Sequence, residues 1–279
     1  MTRERLQRFL AESEASALPA AERLRQLGVD LDGSPIHRGW NAYQLIFDMA
    51  TEIEPQNPDI LHSRAISAVT WLDLEEDRTV RQRIADDAIA SARRALKLGP
   101  EDGHVAYTLG LAHYKDPRWS GDPARYEDAA IGWFDLSLGW YPAPETTVMA
   151  KLYRAHTLAD RAMRVDQENL WRDALAAYRE VDQKQLSEHW PLWRTYKLRE
   201  QIGHCLFRLG DRVSAERELT RLIDDLEPMS KPELEEAVVN FDELLVVLKP
   251  LPEDAPLRVQ TRRLIHRADH LSFHRDSGV

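Results

Sequence analysis

Helix-favouring segments separated by breaks that contain proline or glycine run through most of this sequence. Apolar residues recur at helical spacing, whereas the sustained alternation of apolar and polar residues expected of strands is missing. The breaks recur along the chain, for example at 55–58, 99–103, 116–123, 142–144 and 228–232. The sequence therefore predicts an all-α fold built from repeated pairs of antiparallel helices.

Two of these breaks align residue by residue. EIEPQNPDILHSRAISA and KLGPEDGHVAYTLGLAH share a charged last helical turn, a proline, two polar residues and a new helix. Each has a small residue ten positions after its proline, Ala65 after Pro55 and Gly110 after Pro100. Small residues let two helices approach closely, and larger ones fill the space beside them. The predicted small positions include Gly110, Ala129, Gly203 and Ala215, and the predicted filling residues are Trp133, Tyr178 and Leu219.

This pattern resembles the tetratricopeptide-repeat (TPR) family, whose unit of about 34 residues is a helix pair closed by a proline. The segments at 126–142 and 170–181 resemble the second helix of such a unit. The resemblance covers about two thirds of the chain and implies a right-handed superhelical solenoid. It divides the chain into an N-terminal helical cap at 1–33, TPR-like repeats at 34–228 and C-terminal capping helices at 229–279.

Two repeats are longer than the C-terminal copy. The interval is 12 residues from Gly203 to Ala215 but 19 from Gly110 to Ala129, and the difference is the insertion DPRWSGD. A second insertion surrounds DLEEDRTVRQR. Both lie in the turn within a repeat, where insertions often contact partners. Trp119 in the first insertion either recognises a partner or packs as a plug over the end of its hairpin.

In TPR proteins the first helix of each repeat lines a concave groove that holds a peptide or a segment of another protein. The resemblance places these residues there: His62 and Ile66, then Tyr107, Leu111, Tyr114 and Lys115, and finally Glu200, His204, Phe207 and Arg208. The chaperone-binding subgroup of the family needs Lys and Asn at the leading positions, so a carboxylate clamp is not expected in this groove. An aromatic and aliphatic groove suits an amphipathic helix or an extended segment. Alternatively, Tyr107 and Tyr114 only seal neighbouring hairpins.

Two further apolar clusters lie towards the C-terminus. Trp190, Trp193 and Tyr196 are spaced to share one side of a helix, either as a seam between repeats or as exposed anchors. The segment 244–248 is apolar nearly all round, which is typical of a buried helix. We expect it to cap the last repeat, and the alternative is a homodimer interface.

Motifs for catalysis are missing from the sequence, so we expect neither an enzyme nor a bound cofactor. His266, His270 and His274 recur every four residues and would stack along one helix face, where two imidazoles can bind zinc, nickel or copper. The alternative is a polar face near the chain terminus.

Charge and cysteine content favour a cytoplasmic protein without nucleic-acid or membrane partners. The formal charge of −10 argues against phosphate binding, although segment 258–279 carries five arginines and two aspartates. Cys205 is the only cysteine, lies in an apolar run and is expected to be buried. No uncharged apolar run reaches the roughly 18 residues that span a bilayer, and the N-terminal segment lacks the apolar core of a signal peptide.

The predicted function is therefore that of a non-enzymatic adaptor or scaffold that binds a protein or peptide. Three alternatives remain open. They are a dedicated inhibitor or immunity-type protein with a single partner, a peptide-sensing regulator, and a metal- or small-molecule-dependent enzyme on a helical scaffold.

Overall fold

A computed structural model describes residues 2–13, 18–32, 40–236, 244–245 and 248–268. Within these ranges the regular secondary structure is helical throughout, which confirms the predicted all-α fold. Residue contacts divide the chain into two compact units, residues 1–146 and 147–279. In the described part of the chain, no helix combines the length and the apolar composition that a membrane crossing requires.

The first unit contains three successive pairs of contacting helices, α2 with α3, α4 with α5 and α6 with α7. Its helices are α1 Arg3–Glu12, α2 Ala20–Asp32, α3 Trp40–Ile53, α4 Pro58–Trp71, α5 Arg78–Leu98, α6 Gly103–Tyr114 and α7 Pro123–Gly139, with a 3-10 helix at Pro117–Gly121 before α7. The first helix of each pair also contacts the first helix of the next pair. The three pairs therefore stack in sequence order within this unit.

Side-chain caps explain where several of these helices begin. Asn57, Asp77 and Asp102 each accept hydrogen bonds from the second and third N–H groups of the helix that follows. Pro58 occupies the first position of α4, where its missing N–H leaves no bond unmade. The turns that the sequence marks with proline, aspartate and asparagine therefore act as helix starts.

The second unit contains most of α8 Pro144–Val165 and the helices that follow it. These are α9 Glu168–Arg179, α10 Gln183–His189, α11 Trp193–Arg208, α12 Arg212–Leu226, α13 Lys231–Glu236 and α14 Pro256–Ala268. Helix α11 contacts both α9 and α12, and α12 contacts α14. Burial raises the pKa of the Cys205 thiol on α11 to about 12, so this cysteine is a buried neutral side chain as predicted.

An apolar cluster joins α12 to the C-terminal segment. Leu219 and Leu222 on α12 pack in the same cluster as Leu244, Leu248 and Leu264. Leu244 and Leu248 are buried within the chain, so neither side chain is available as a dimer contact. Val246 and Val247, which belong to the predicted apolar segment, lie outside the described residues.

The predicted aromatic cluster at the start of α11 is partly covered by its own chain. The Arg194 guanidinium lies 5.2 Å from the ring centre of Trp190 and 4.5 Å from that of Trp193. Tyr196 packs against the C-terminal apolar cluster. All three aromatic side chains are half-buried, so they are not fully exposed anchors, and the seam between repeats stays a prediction.

Close approach of paired helices depends on small residues. A Cβ added at Gly28, Gly110 or Gly203 would lie less than 3.0 Å from atoms of Phe47, Phe134 or Leu219, respectively. The prediction for Gly203 and Leu219 agrees with this geometry. Gly28 makes the same contact in the α2–α3 pair, inside the segment predicted as an N-terminal cap, and the domain boundaries at 33/34 and 228/229 stay predictions.

The predicted register of α7 is wrong by one residue. Phe134 fills the space beside Gly110 and Ala130 is fully buried, whereas Ala129 and Trp133 are only partly buried. Positions 129 and 130 are both small and positions 133 and 134 are both aromatic, so the sequence pattern fits either register. The contact of Phe134 with Gly110 in the folded chain distinguishes the two registers.

Two glycines on paired helices provide a matched test of close packing. Gly110→Ala should lower the free energy of unfolding by about 1–3 kcal/mol, because the Phe134 ring must move. Gly132 on α7 faces open space, so Gly132→Ala should raise it by about 0.5–1 kcal/mol through helix propensity. Urea denaturation of both variants measures the difference. Equal effects of the two substitutions would contradict the packing role of Gly110.

His113 on α6 is buried without a hydrogen-bond partner for either ring nitrogen among the described residues. Burial, with Arg93 as the next cause, lowers the pKa of His113 to about 4. The unfolded chain, with a pKa near 6.5, therefore takes up a proton first as the pH falls. The resulting stability is present above about pH 6.5 and is lost between about pH 6.5 and pH 4.

This titration predicts acid sensitivity of the fold. His113 alone should make the protein about 2 kcal/mol less stable at pH 5 than at pH 7. His113→Leu should remove that share of the pH dependence, because leucine does not titrate. Urea unfolding of wild type and variant at both pH values measures it, and identical pH dependence would show that His113 does not titrate as described.

Candidate functional site

A series of polar contacts links the first helices of successive pairs. Arg25 on α2 donates to the Ser63 hydroxyl at 3.1 Å, and His62 Nε2 on α4 lies 3.1 Å from Thr108 Oγ1 on α6. His104 Nδ1 on α6 lies 2.9 Å from Thr146 Oγ1 in the first turn of α8, within the first unit. Sequence analysis missed these pairs because their members lie about 40 residues apart and follow no short motif.

His62 Nε2 and Thr108 Oγ1 form a hydrogen bond between α4 and α6. Thr108 Oγ1 also lies 3.0 Å from the carbonyl oxygen of His104, to which its hydroxyl can donate, and in that arrangement His62 Nε2 is the donor. Burial is the largest influence on His62 and lowers its pKa. The predicted groove residue His62 is thus half-buried and holds α4 against α6.

The other predicted positions on α4 and α6 are partly accessible. Ile66 has 45% of its surface exposed, and Leu111 packs against an apolar cluster that includes Ala68 and Trp71. The Tyr107 ring centre lies 6.1 Å from that of Phe134. Tyr107 and Leu111 are half-buried, so each combines an intrachain contact with an accessible edge.

Trp119 packs against Tyr114 at the C-terminal end of α6. Their ring centres lie 5.2 Å apart at an interplanar angle of 84°, a favourable edge-to-face arrangement. Both side chains are half-buried. The Lys115 ammonium forms an ion pair with Asp73, which lies beyond the end of α4. Trp119 therefore has the intrachain contact expected of a plug and also retains accessible surface.

The two predicted insertions contact each other. Asp116 is buried and its carboxylate accepts hydrogen bonds from Arg118 at 2.9 and 2.7 Å. Arg118 also donates to Asp86 on α5 at 2.7 Å, and Arg78 on α5 donates to Ser120 Oγ at 3.0 Å. The hydrogen bond to Asp116 is the largest cause that raises the pKa of Arg118. The 3-10 helix that carries Trp119 is thus attached to α5 at both ends.

Predicted groove residues on α11 are engaged within the second unit. The His204 ring centre lies 5.3 Å from that of Trp171, and the Arg208 guanidinium lies 5.2 Å from the same ring. Arg208 also pairs with Asp166, whose carboxylate accepts from Trp171 Nε1 at 3.1 Å. This cluster connects the turn before α9 with α11.

The remaining two α11 positions are less available than predicted. Glu200 is only 3% exposed and accepts a hydrogen bond from Lys197 at 2.9 Å, so it does not line an open surface. Phe207 is half-buried against the C-terminal apolar cluster. Residues that share a helix face by spacing thus differ in exposure, because neighbouring helices cover them unequally.

Of the three histidines predicted to share a helix face, the structure describes only the first. His266 lies on α14, whereas His270 and His274 fall outside the described residues. Among the residues that the structure describes, no group of three or more His, Cys, Asp or Glu side chains has a geometry for metal binding.

Comparison with known proteins supports the helical-repeat fold. No protein-family model and no curated protein matches the sequence. Among solved structures, the chain is similar to PilW, described as a widely conserved type IV pilus biogenesis factor. The TM-score is 0.57 at 16% sequence identity, and the match covers 91% of this chain and 95% of PilW. The chain therefore has an all-helical fold similar to that of PilW over nearly the full length of both proteins.

Proposed function

We propose that this chain is a TPR-like adaptor that binds a segment of another protein on the face formed by α4, α6 and the 3-10 helix. The observation that carries the proposal is the set of accessible apolar side chains on adjacent elements, Ile66, Tyr107, Tyr114 and Trp119. Aromatic side chains on a preorganised surface are the usual anchors of protein interfaces. An amphipathic helix or an extended segment fits such a surface.

Intrachain contacts hold this face in place before a partner binds. The His62–Thr108 bond joins α4 to α6, and the Lys115–Asp73 ion pair joins their C-terminal ends. Less conformational entropy is lost on binding when the contact residues are already ordered. The formal charge of −10 further favours a partner whose segment carries basic residues beside its apolar ones.

A second candidate function is a dedicated inhibitor that inserts Trp119 and its 3-10 helix into one partner. The attachment of this helix to α5 through Arg118 and Arg78 favours it, because inhibitory loops gain affinity from rigidity. The two candidates differ in whether the α4 surface takes part in the contact.

Ile66→Glu provides the first test of the adaptor proposal. The substitution adds a charge to a side chain that is 45% exposed on the proposed face, and the partner's affinity should fall at least tenfold, about 1.4 kcal/mol. Leu136→Glu on α7 is the matched control, since Leu136 is 43% exposed and belongs to a second helix. Capture from native extract with quantitative mass spectrometry identifies the partner, and titration of the purified pair measures affinity.

The outcomes separate the candidates. Loss of binding with Ile66→Glu and with Tyr107→Ala/Tyr114→Ala, but not with Leu136→Glu, would support the adaptor. Loss with Trp119→Ala alone would support the inhibitor. Undiminished binding by the Ile66, tyrosine and Trp119 variants would refute both, provided that circular dichroism shows unchanged folding.

The hydrogen bonds of Arg118 that hold the 3-10 helix in place can be tested separately from partner binding. Asp116→Asn should destabilise the protein by about 1–3 kcal/mol and accelerate amide exchange at 116–122, because Arg118 loses its buried charged partner. Asp86→Asn removes the exposed partner of Arg118 and should cost less than about 1 kcal/mol. Hydrogen exchange with mass spectrometry measures both, and slow exchange at 116–122 in Asp116→Asn would contradict the bracing role.

A further inference from the structure

A cavity of about 270 Å³ lies in the second unit, among residues of α9, α11 and α12, of the turn after α9 and of the first position of α10. Its apolar lining comes from Tyr178, Val181, Ile202 and Leu206. These four side chains are buried, so the lining is set by the packing of the helices rather than by mobile surface groups. Pockets for drug-sized ligands are usually about 300–1,000 Å³. The accessible part of this lining is more polar than apolar, so the cavity suits a compact ligand that combines a polar group with a small apolar one.

Two arginines line the same cavity. Arg179 ends α9 and Arg217 lies on α12, and both side chains are exposed. In the described part of the chain, neither guanidinium forms an ion pair or a hydrogen bond. Arginine is well suited to bind a carboxylate because its N–H groups match the two carboxylate oxygens.

Asp211, which precedes α12, is within electrostatic range of both arginines. Its pKa is lowered first by hydrogen bonds from the side chain and backbone of Ser214, and then by the positive charges of Arg179 and Arg217. The positive charges of both guanidiniums therefore influence the same carboxylate, that of Asp211.

The acidic groups nearest the cavity already have partners. Asp211 accepts the Ser214 N–H at 3.2 Å and so caps α12. Glu218, which also lines the cavity, accepts from Arg221 at 3.2 Å. A ligand carboxylate would thus meet two guanidiniums whose neighbouring acids are bonded elsewhere, with the Gln183 amide as a further polar group in the lining.

We infer that this cavity binds a carboxylate carried by a compact apolar group, with the apolar group against Ile202 and Leu206 and the carboxylate between Arg179 and Arg217. The last residue of a peptide with an apolar side chain has this chemistry, and so does a free small acid. The inference goes beyond the proposed function, since the cavity lies in the other unit and shares no residue with the α4–α6 face.

The probes are N-acetyl-leucine and N-acetyl-leucine amide, which differ only in the carboxylate. Isothermal titration and nuclear magnetic resonance shift mapping of the full chain should show at least tenfold tighter binding of the acid, with shifts centred on α9, α11 and α12. Equal binding of acid and amide, or no binding of the acid, would overturn the inference.

The double variant Arg179→Gln/Arg217→Gln should weaken binding of N-acetyl-leucine at least tenfold. Arg212→Gln is the matched control, because Arg212 is an exposed arginine of α12 that does not line the cavity. Thermal melting checks that all variants fold. Unchanged affinity in the folded double variant, or an equal loss in Arg212→Gln, would also overturn the inference.

An octapeptide ending in leucine, with a free or an amidated C-terminus, distinguishes the two ligand sources. Binding of the free-acid peptide at least tenfold more tightly than N-acetyl-leucine identifies a chain terminus, and equal or weaker binding identifies a free small acid. Ile66→Glu should leave these affinities unchanged, so the cavity site and the proposed adaptor face can fail independently.

Discussion

Close contact between paired helices is the constraint on which the described structure depends. At Gly110 and Gly203 no side chain separates the two helices, and Phe134 or Leu219 occupies the space that a Cβ would need. Each pair can then bury its apolar side at a short interhelical distance. The first helices of successive pairs come into contact in the first unit. The proposed binding face is a consequence of this packing.

Polar contacts add order to the apolar stack. The bonds Arg25–Ser63 and His62–Thr108 each join two neighbouring first helices, and they lie among residues that also meet solvent. Net hydrogen-bond energies are modest, but an unmade buried bond is costly. Such pairs therefore favour one alignment of the helices over others of similar apolar burial. His113, by contrast, lowers the stability of the fold in acid, because its buried ring binds a proton less readily than in the unfolded chain.

The two insertions add contacts that the basic two-helix repeat does not have. Both lengthen a turn within a repeat, and in the structure Arg118 and Arg78 attach the 3-10 helix to α5. A rigid Trp119 surface follows from this attachment. In the second unit, by contrast, the helices leave a cavity whose apolar lining and paired arginines depend on residues from separate helices. Neither feature follows from the generic repeat.

Periodicity, breakers and small residues in the sequence determined the all-α fold, the Gly203–Leu219 contact and the burial of Cys205, because these depend on local spacing. The register of α7 needed the tertiary structure, since adjacent small and aromatic residues satisfy the pattern in two ways. The exposure of each side chain was also decided only by the tertiary structure. Ile66 is accessible whereas Glu200 is buried, although both occupy predicted groove positions. Arg179 and Arg217 lie 38 positions apart in sequence, and only the packing of their helices places both at one cavity. Helical spacing specifies which side of a helix a residue occupies, and only packing between helices decides what covers that side.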